Sequence, residues 1–240
     1  MTAVGVVAAL AAEARALGPV VKRMGDVGCL GDGTLLAVSG MGQPAAGQAA
    51  GRLIEAGATA LLSFGLAGGL DPKLPAGSVV LPREVISRDG ARFPTSVDWR
   101  ERLTAVILTQ GPVAGGALLT SERAIDAVAD KAAAFRETGA VAVDMESLAV
   151  AQVAARHRLP FIVVRVIVDT AADVLPAAVV AATQGGQVRI WRLIGGLALA
   201  PAELAALIRL ASRYRAAILS LTTVARAVLQ ARLEPDVRVA

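Results

Sequence analysis

AVAVDMESLAVAQVAARHRLPFIVVRVIVD, from Ala140 to Asp169, is the stretch on which the fold turns. It reads as strand, helix, strand: AVAVD, then ESLAVAQVAARH, then PFIVVRVIVD. Both strand runs are continuously apolar rather than alternating, so both of their faces must be covered. Covered strands joined by a helix define an α/β pattern with parallel pairing. The first strand breaks off to place Asp144 and Glu146 on either side of Met145, and the second ends on Asp169. Carboxylates are costly to desolvate without a partner. In open α/β sheets, ligands bind beyond the carboxyl ends of strands, so these positions read as the rim of a site.

The same alternation extends toward the N-terminus. TAVGVVAAL reads as a buried strand, and AAEARALG as a short helix stopped by Gly18-Pro19. GDVGCLGDGTLLAVSG reads as a hairpin turning at Gly31-Asp32-Gly33. PAAGQAAGRLIEAG is a helix with Pro44 in its first turn and Gly57 past its end. ATALLSFG is a strand, and GSVVLPREVIS another whose proline suggests an edge or a bulge. Gly115 to Thr120 is a strand, and SERAIDAVADKAAAFRETG a helix with Ser121 as its cap. Beyond Asp169 the pattern turns helical. Leu204, Leu207, Ile208, Ala211, Ile218 and Leu221 form an apolar stripe, with Arg209 and Arg213 off it. That helix is expected to pack on the sheet; the sharper alternative is that it also touches a membrane surface or an apolar substrate.

Composition bounds the function. The chain has 240 residues, 55% hydrophobic but only 3% aromatic, so its core is built from Ala, Val, Leu and Ile. Mean hydropathy is high, +0.60. Even so, Glu13 and Arg15 interrupt the first apolar run, and Arg192 and Glu203 flank LIGGLALAPA. No uncharged run reaches the ~18–20 apolar residues of a spanning helix. The N-terminal segment lacks a basic n-region and reads as strand and helix rather than as a signal peptide. A single cysteine, Cys29, excludes an internal disulfide, and a single histidine, His157, excludes a multi-histidine metal site. Neither a metal nor an organic cofactor is implied, and the expected compartment is cytoplasmic. The net charge of +4 comes from scattered arginines with few aromatics beside them, which argues against nucleic-acid binding. His157 reads as a helix-terminal residue rather than a catalytic one.

Three acidic positions stand at or just past strand ends: Glu13, the Asp144/Glu146 pair, and Asp169. Any one could cap a helix. No lysine lies near them in sequence, although Arg165 could pair with one. Two glycine segments sit at comparable places. SGMGQPAAG fits G-x-G-x-x-A through Gly40, Gly42 and Ala45. No acid ends the next strand to hold a ribose, so a dinucleotide site is poorly supported. In FGLAGGLDP, Gly65, Gly68 and Gly69 allow a ligand to approach the backbone closely, or else mark a tight turn.

Four blocks in this order resemble the nucleoside phosphorylase superfamily, and within it the 5′-methylthioadenosine/S-adenosylhomocysteine nucleosidases. They are VGVVAALAAEARAL, SGMGQPAAGQAAGRLIEAGATALLSFGLAGGLDPKLPAGSVVLP, AVDMESLAVAQVA and PFIVVRVIVDTAAD. The resemblance implies a single-domain three-layer αβα fold around a central mixed, largely parallel twisted sheet. Residues 1–173 would form the core, and 174–240 a helical C-terminal extension packed on the same domain. It implies that Glu146 holds the ribose hydroxyls over Met145, that Asp169 protonates the purine ring nitrogen, and that Glu13 activates water. Asp144, Leu66, Gly68, Gly69, Thr120 and Ser121 would complete the substrate site. Asp144 replaces the family's usual Glu, and Leu66 stands where the nucleosidases have Ser. LTSERAID lacks the aromatic that often stacks on the purine, and no phosphate-binding arginine set is evident. Thr120, Ser121 and the glycine amides could still serve phosphate as a co-substrate.

SFGLAGGLDP, AVDMES and the tail APAELAALIRLASRYRAAI are shared with a hopanoid-associated branch of this superfamily. That resemblance implies adenosylhopane as substrate, adenine as product, and a homodimer or higher oligomer with peripheral contact at the inner membrane surface. Two alternatives stay open: a general methylthioadenosine/S-adenosylhomocysteine nucleosidase, and a non-catalytic protein that binds an apolar nucleoside. Breaking an N-ribosyl bond builds positive charge on the sugar and negative charge on the leaving base. A carboxylate beside the ribose and an acid beside the base therefore suit that reaction.

Overall fold

The structure is a computed structural model describing residues 3–109, 112–175 and 201–230. Among the described residues twelve strands form one mixed sheet in the order β2-β3-β4-β1-β5-β11-β10-β7-β8, where β8 is Arg92–Pro94, with β12 paired to β5 and β6, and β9 (Val113–Ala114) to β6. The strands that carry the site are β1 (Val4–Ala8), β5 (Ala60–Gly69), β10 (Ala117–Thr120), β11 (Ala140–Asp144) and β12 (Phe161–Asp169). β5 runs parallel to both β1 and β12, while its last residues pair antiparallel with β11 at Gly68–Val143 and Gly69–Ala142. The sheet therefore changes partner along β5. The carboxyl ends of β5, β11 and β12 meet where it does so.

Helices cover both faces, which accounts for the unbroken apolar strands. On one face α2 (Gln43–Glu55) and α5 (Ser147–Arg156) pack on Leu61, Val163 and Ile167. α2 buries Ala46, Ala49, Ala50 and Leu53, a helical stripe of small residues that lets it lie close against α5 and β1. On the other face α1 (Ala11–Ala16), α3 (Val97–Ile107) and α6 (Pro201–Gln230) pack on Leu62, Phe64, Ile162, Val164 and Val166. The expected three-layer α/β architecture with a helical C-terminal segment is present.

Several local expectations are corrected. FGLAGG is not a turn: β5 continues straight through it. GSVVLPREVIS is two strands, β6 (Val79–Val80) and β7 (Glu84–Ile86), parted at Pro82. Ser121 caps no helix. α4 begins at Val128 and ends at Thr138 before left-handed Gly139, and residues 121–127 form a loop. α6 buries Ala217, Leu221, Val224, Ala225 and Val228, whereas Ala211 is exposed and Ile218 only half-buried. The apolar stripe is thus rotated from the expected one; Leu204, Leu207 and Ile208 lie outside the residues whose side chains are described. The hairpin turning at Gly31 to Gly33 is present as β3 (Val27–Leu30) and β4 (Leu35–Val38), and it gains an outer strand, β2 (Val20–Met24).

Leu221 is fully buried between α6 and the sheet. Leu221→Ala is expected to lower unfolding free energy by about 2–5 kcal/mol, measured by denaturant titration. A loss below about 0.5 kcal/mol would mean that α6 does not hold this packed position.

Candidate active site

A cavity of about 240 Å³ opens at the carboxyl ends of β5, β11 and β12. Leu66, Gly68, Met145, Glu146, Asp169 and Glu13 all line it. The structure therefore brings together acids that are more than 150 positions apart in the chain. Gly69 lies beside the cavity rather than in it. A side chain there would meet the Asp169 backbone oxygen at 3.2 Å, so the glycine allows β12 to end close to β5.

Each carboxylate is built in differently. Glu13 stands in the first turn of α1 and accepts the Leu10 amide at 2.8 Å on Oε2, closing the helix start. Its Oε1 accepts the Leu66 amide at 2.9 Å from β5. Burial pushes its pKa up, and the Arg165 charge partly opposes that rise. Glu146 stands just ahead of α5, where its Oε1 accepts the Gly42 amide at 2.8 Å. Gly40 and Gly42 have φ of +80° and +94°, so the G-x-G-x-x-A segment turns a backbone amide onto Glu146. Burial, then the neighbouring charge of Asp144, push Glu146 up to about 7.

Asp144 is heavily engaged. Thr120 Oγ1 donates to its Oδ1 at 2.7 Å; its Oδ2 accepts the Ser147 amide at 3.1 Å, Arg165 Nε at 3.0 Å and Arg165 Nη2 at 2.6 Å. Three of these four donors converge on Oδ2, so Asp144 supports Arg165 while Oδ1 keeps an acceptor position, and Asp144 also lines the cavity. The Thr120 hydroxyl also accepts the Leu148 amide at 3.1 Å. Ser121 donates its amide to the Asp144 carbonyl and, with Thr120, lines a second cavity of about 930 Å³ rather than the first. Arg123, Ala124 and Ile125 border both cavities.

Arg165 is the partner that the sequence left open. Its fully buried guanidinium also bonds Ser63 Oγ at 2.8 Å and Ser147 Oγ at 3.0 Å, and it comes within 4.0 Å of Glu146 Oε2. Gly65 makes room for it: a Cβ there would lie 2.5 Å from both Arg165 Nη1 and Glu13 Oε1. Asp169 has a different cation, and sequence proximity misses it. Lys131, 38 positions earlier in α4, is completely buried and donates to Asp169 Oδ2. The visible signal was a lysine sharing the buried face of α4 with Ala134. Burial pushes Asp169 up, while Lys131 pulls it back. Tyr214 of α6 also lines the first cavity, a contribution that no motif announced. His157 is exposed at the end of α5, as expected. No group of His, Cys, Asp and Glu able to hold a metal occurs among the described residues.

This geometry suits a neutral leaving group flanked by an acid and a cationic centre flanked by carboxylates. A family model of the phosphorylase superfamily matches residues 5–194, and the chain belongs to that family. Solved structures with the same fold include the 5′-methylthioadenosine/S-adenosyl homocysteine nucleosidase of Campylobacter jejuni, 17% identical with a TM-score of 0.73 over 97% of this chain and 99% of that one. The futalosine hydrolase of Helicobacter pylori is 17% identical, with a TM-score of 0.69 over 95% and 97%. The nucleosidase of Colwellia psychrerythraea 34H, solved with adenine, is 25% identical, with a TM-score of 0.61 over 70% and 83%.

Two outcomes follow. Gly65→Ala is expected to displace Arg165 or Glu13 and to cost about 1–3 kcal/mol of stability; unchanged denaturation would overturn the close approach. Glu146 has an ordinary pKa of 4.5 and a native value of about 7. Between these the native state holds a proton that the unfolded chain has released, so stability falls as pH rises through that window. Glu146→Gln removes that component. Denaturant titrations at stepped pH should show a shallower fall for the variant, and equal slopes would refute the raised value.

Proposed function

We propose that the protein cleaves the N-glycosidic bond of a 5′-substituted adenosine and releases adenine, with adenosylhopane as its substrate in hopanoid synthesis. The observation that carries this reading is one cavity with two kinds of buried carboxylate. Glu146 and Glu13 flank Arg165 on one side, and Asp169 sits with Lys131 on the other. In this reading, ionised Glu146 binds the ribose hydroxyls and stabilises the developing sugar cation. Asp169 delivers a proton to the purine ring nitrogen, so the base leaves neutral, a role that contributes roughly 10²–10⁴-fold. Glu13 takes a proton from the nucleophile. Membership of the phosphorylase superfamily and the nucleosidase fold support the bond that is cleaved.

The shared SFGLAGGLDP and AVDMES segments support adenosylhopane, as do Leu10, Met41, Leu66 and Tyr214 on the cavity wall. The nucleosidases among the structural neighbours favour methylthioadenosine or S-adenosylhomocysteine as the second reading. The bonding of the buried cation favours water over phosphate. Arg165 is already bonded to Asp144, Ser63 and Ser147, so it has little left to offer a phosphate dianion. An oligomer and peripheral contact with anionic lipid belong to the same proposal. No described helix is long and apolar enough to cross a membrane. Co-sedimentation with anionic vesicles tests the contact, and full recovery in the supernatant would count against it.

The deciding assay is adenine release from adenosylhopane, with and without phosphate, with the sugar product identified by mass. Equal release without phosphate, giving free ribosylhopane, supports hydrolysis. Release that needs phosphate and gives a ribose 1-phosphate means that phosphate attacks. Release from methylthioadenosine alone selects the second reading. Asp169→Asn is expected to lower kcat at least about 100-fold, and unchanged turnover would sink the assigned acid. Binding without turnover of any of these nucleosides would leave a binding protein.

A further inference from the structure

Lys131 takes no part in binding or chemistry as described so far, yet it is among the most deeply buried side chains of the molecule. Its Nζ has three acceptors: Asp169 Oδ2, the Thr170 carbonyl at 2.9 Å and the Asp173 carbonyl at 2.9 Å. Three acceptors call for three N–H donors, and only the ammonium has three. A neutral amine would leave one of these acceptors without its lysine partner. Lys131 is therefore a charged group held in a closed cage, and the cage includes the carboxyl group at the cavity wall.

We propose, building on the N-ribosyl cleavage reading, that Lys131 is a positioning residue that occupies Asp169 Oδ2 and so reserves Oδ1 for the proton passed to the purine. The Lys131 bond falls on Oδ2, and the Asp169 amide also bonds its own carboxyl group. Lys131 holds one oxygen of the carboxyl group, and Gly68 leaves room beside it, since a Cβ there would stand 3.3 Å from Oδ2 and 3.5 Å from Oδ1. Lys131 also ties Asp169 to the chain that follows it. Asp173 Oδ2 accepts the Thr170 amide at 2.8 Å and its hydroxyl at 2.7 Å, and pairs with Arg213 of α6. The carboxyl, the loop after β12 and the C-terminal helix thus share one network through a single ammonium.

Charge adds a second consequence. Burial pushes the Asp169 carboxyl above its ordinary range and so weakens it as an acid, whereas a good acid has a pKa near the working pH. The Lys131 ammonium opposes that rise, and Asp173 reinforces it. Arg213 from α6 acts on Asp169 as a more distant cation. Glu13, Asp144, Glu146, Arg123 and Tyr214 are the other titratable or charged groups around the same cavity. Lys131 is the one that bonds the carboxyl directly.

The test compares wild type with Lys131→Met. Two measurements are made: kcat/KM for adenine release between about pH 5 and 9, and carboxyl carbon resonances of labelled aspartate, with Asp169 assigned through Asp169→Asn. In Lys131→Met, kcat/KM near neutrality should fall about tenfold or more. The descending alkaline limb and the Asp169 titration should both move to higher pH. An Asp169 titration at the same pH in both proteins would overturn the proposal, even if activity falls. If wild type releases adenine from no adenosine derivative, the functional reading fails, while the resonance titration still decides the pairing. Should Lys131→Met not fold, the labelled side-chain nitrogen of Lys131 in wild type is compared with that in Asp169→Asn. A clear shift supports the pairing, and an unmoved signal overturns it.

Discussion

The guanidinium of Arg165 lies within a strand whose neighbours are valine and isoleucine, and the site is arranged around its compensation. An isolated charge there would cost several kcal/mol even after relaxation. Asp144 offsets it with two bonds, Ser63 and Ser147 add hydroxyl acceptors, and Glu13 and Glu146 complete a ring of negative charge. These partners come from β5, β11, α5 and α1, so satisfying one side chain fixes how those elements meet. Removing either member of such a buried pair typically costs about 3–5 kcal/mol, because the other is left uncompensated. When Glu146 is ionised, the same ring presents negative charge at the cavity wall, the sign needed beside a developing cation.

Asp169 has its own cation, and the separation matters. Glu146 feels the Asp144 charge and shares Arg165 with it, whereas Asp169 is bonded by Lys131 and feels the Asp173 charge. Two carboxylates in one cavity can thereby be held at different affinities for a proton, as an acid and an electrostatic stabiliser require. Small residues make both arrangements possible. Gly65 leaves room for Arg165 and Glu13, and Gly68 leaves room for Asp169. The scarcity of aromatic residues and the alanine faces of α2 and α5 belong to the same economy of space, because they bring helix and sheet close enough for short side chains to reach one another.

Much of this was legible along the chain. The strands at Val4–Ala8 and Phe161–Asp169 and the first half of Ala60–Gly69 announce themselves by dominantly apolar runs, and α2 by Pro44, Gly57 and its apolar spacing. Acids at strand ends marked the rim of the site. Elements with weaker local signals escaped. β2 is an exposed edge strand carrying Lys22 and Arg23, with no alternation to betray it. Ser121 has the chemistry of a cap, but its amide is drawn to Asp144 and the helix starts later.

Residue types and local periodicity, which act over a few positions, determined the α/β class, the positions of most core strands and the set of carboxylates available for chemistry. Tertiary structure alone decided which carboxylate meets which cation. Asp144 is tied up by Arg165, 21 positions on; Asp169 is held by Lys131, 38 positions back; Glu146 is reached by the Gly42 amide, 104 positions away. Burial and long-range pairing set the charge and freedom of each acid, and neither quantity exists until the chain has closed on itself.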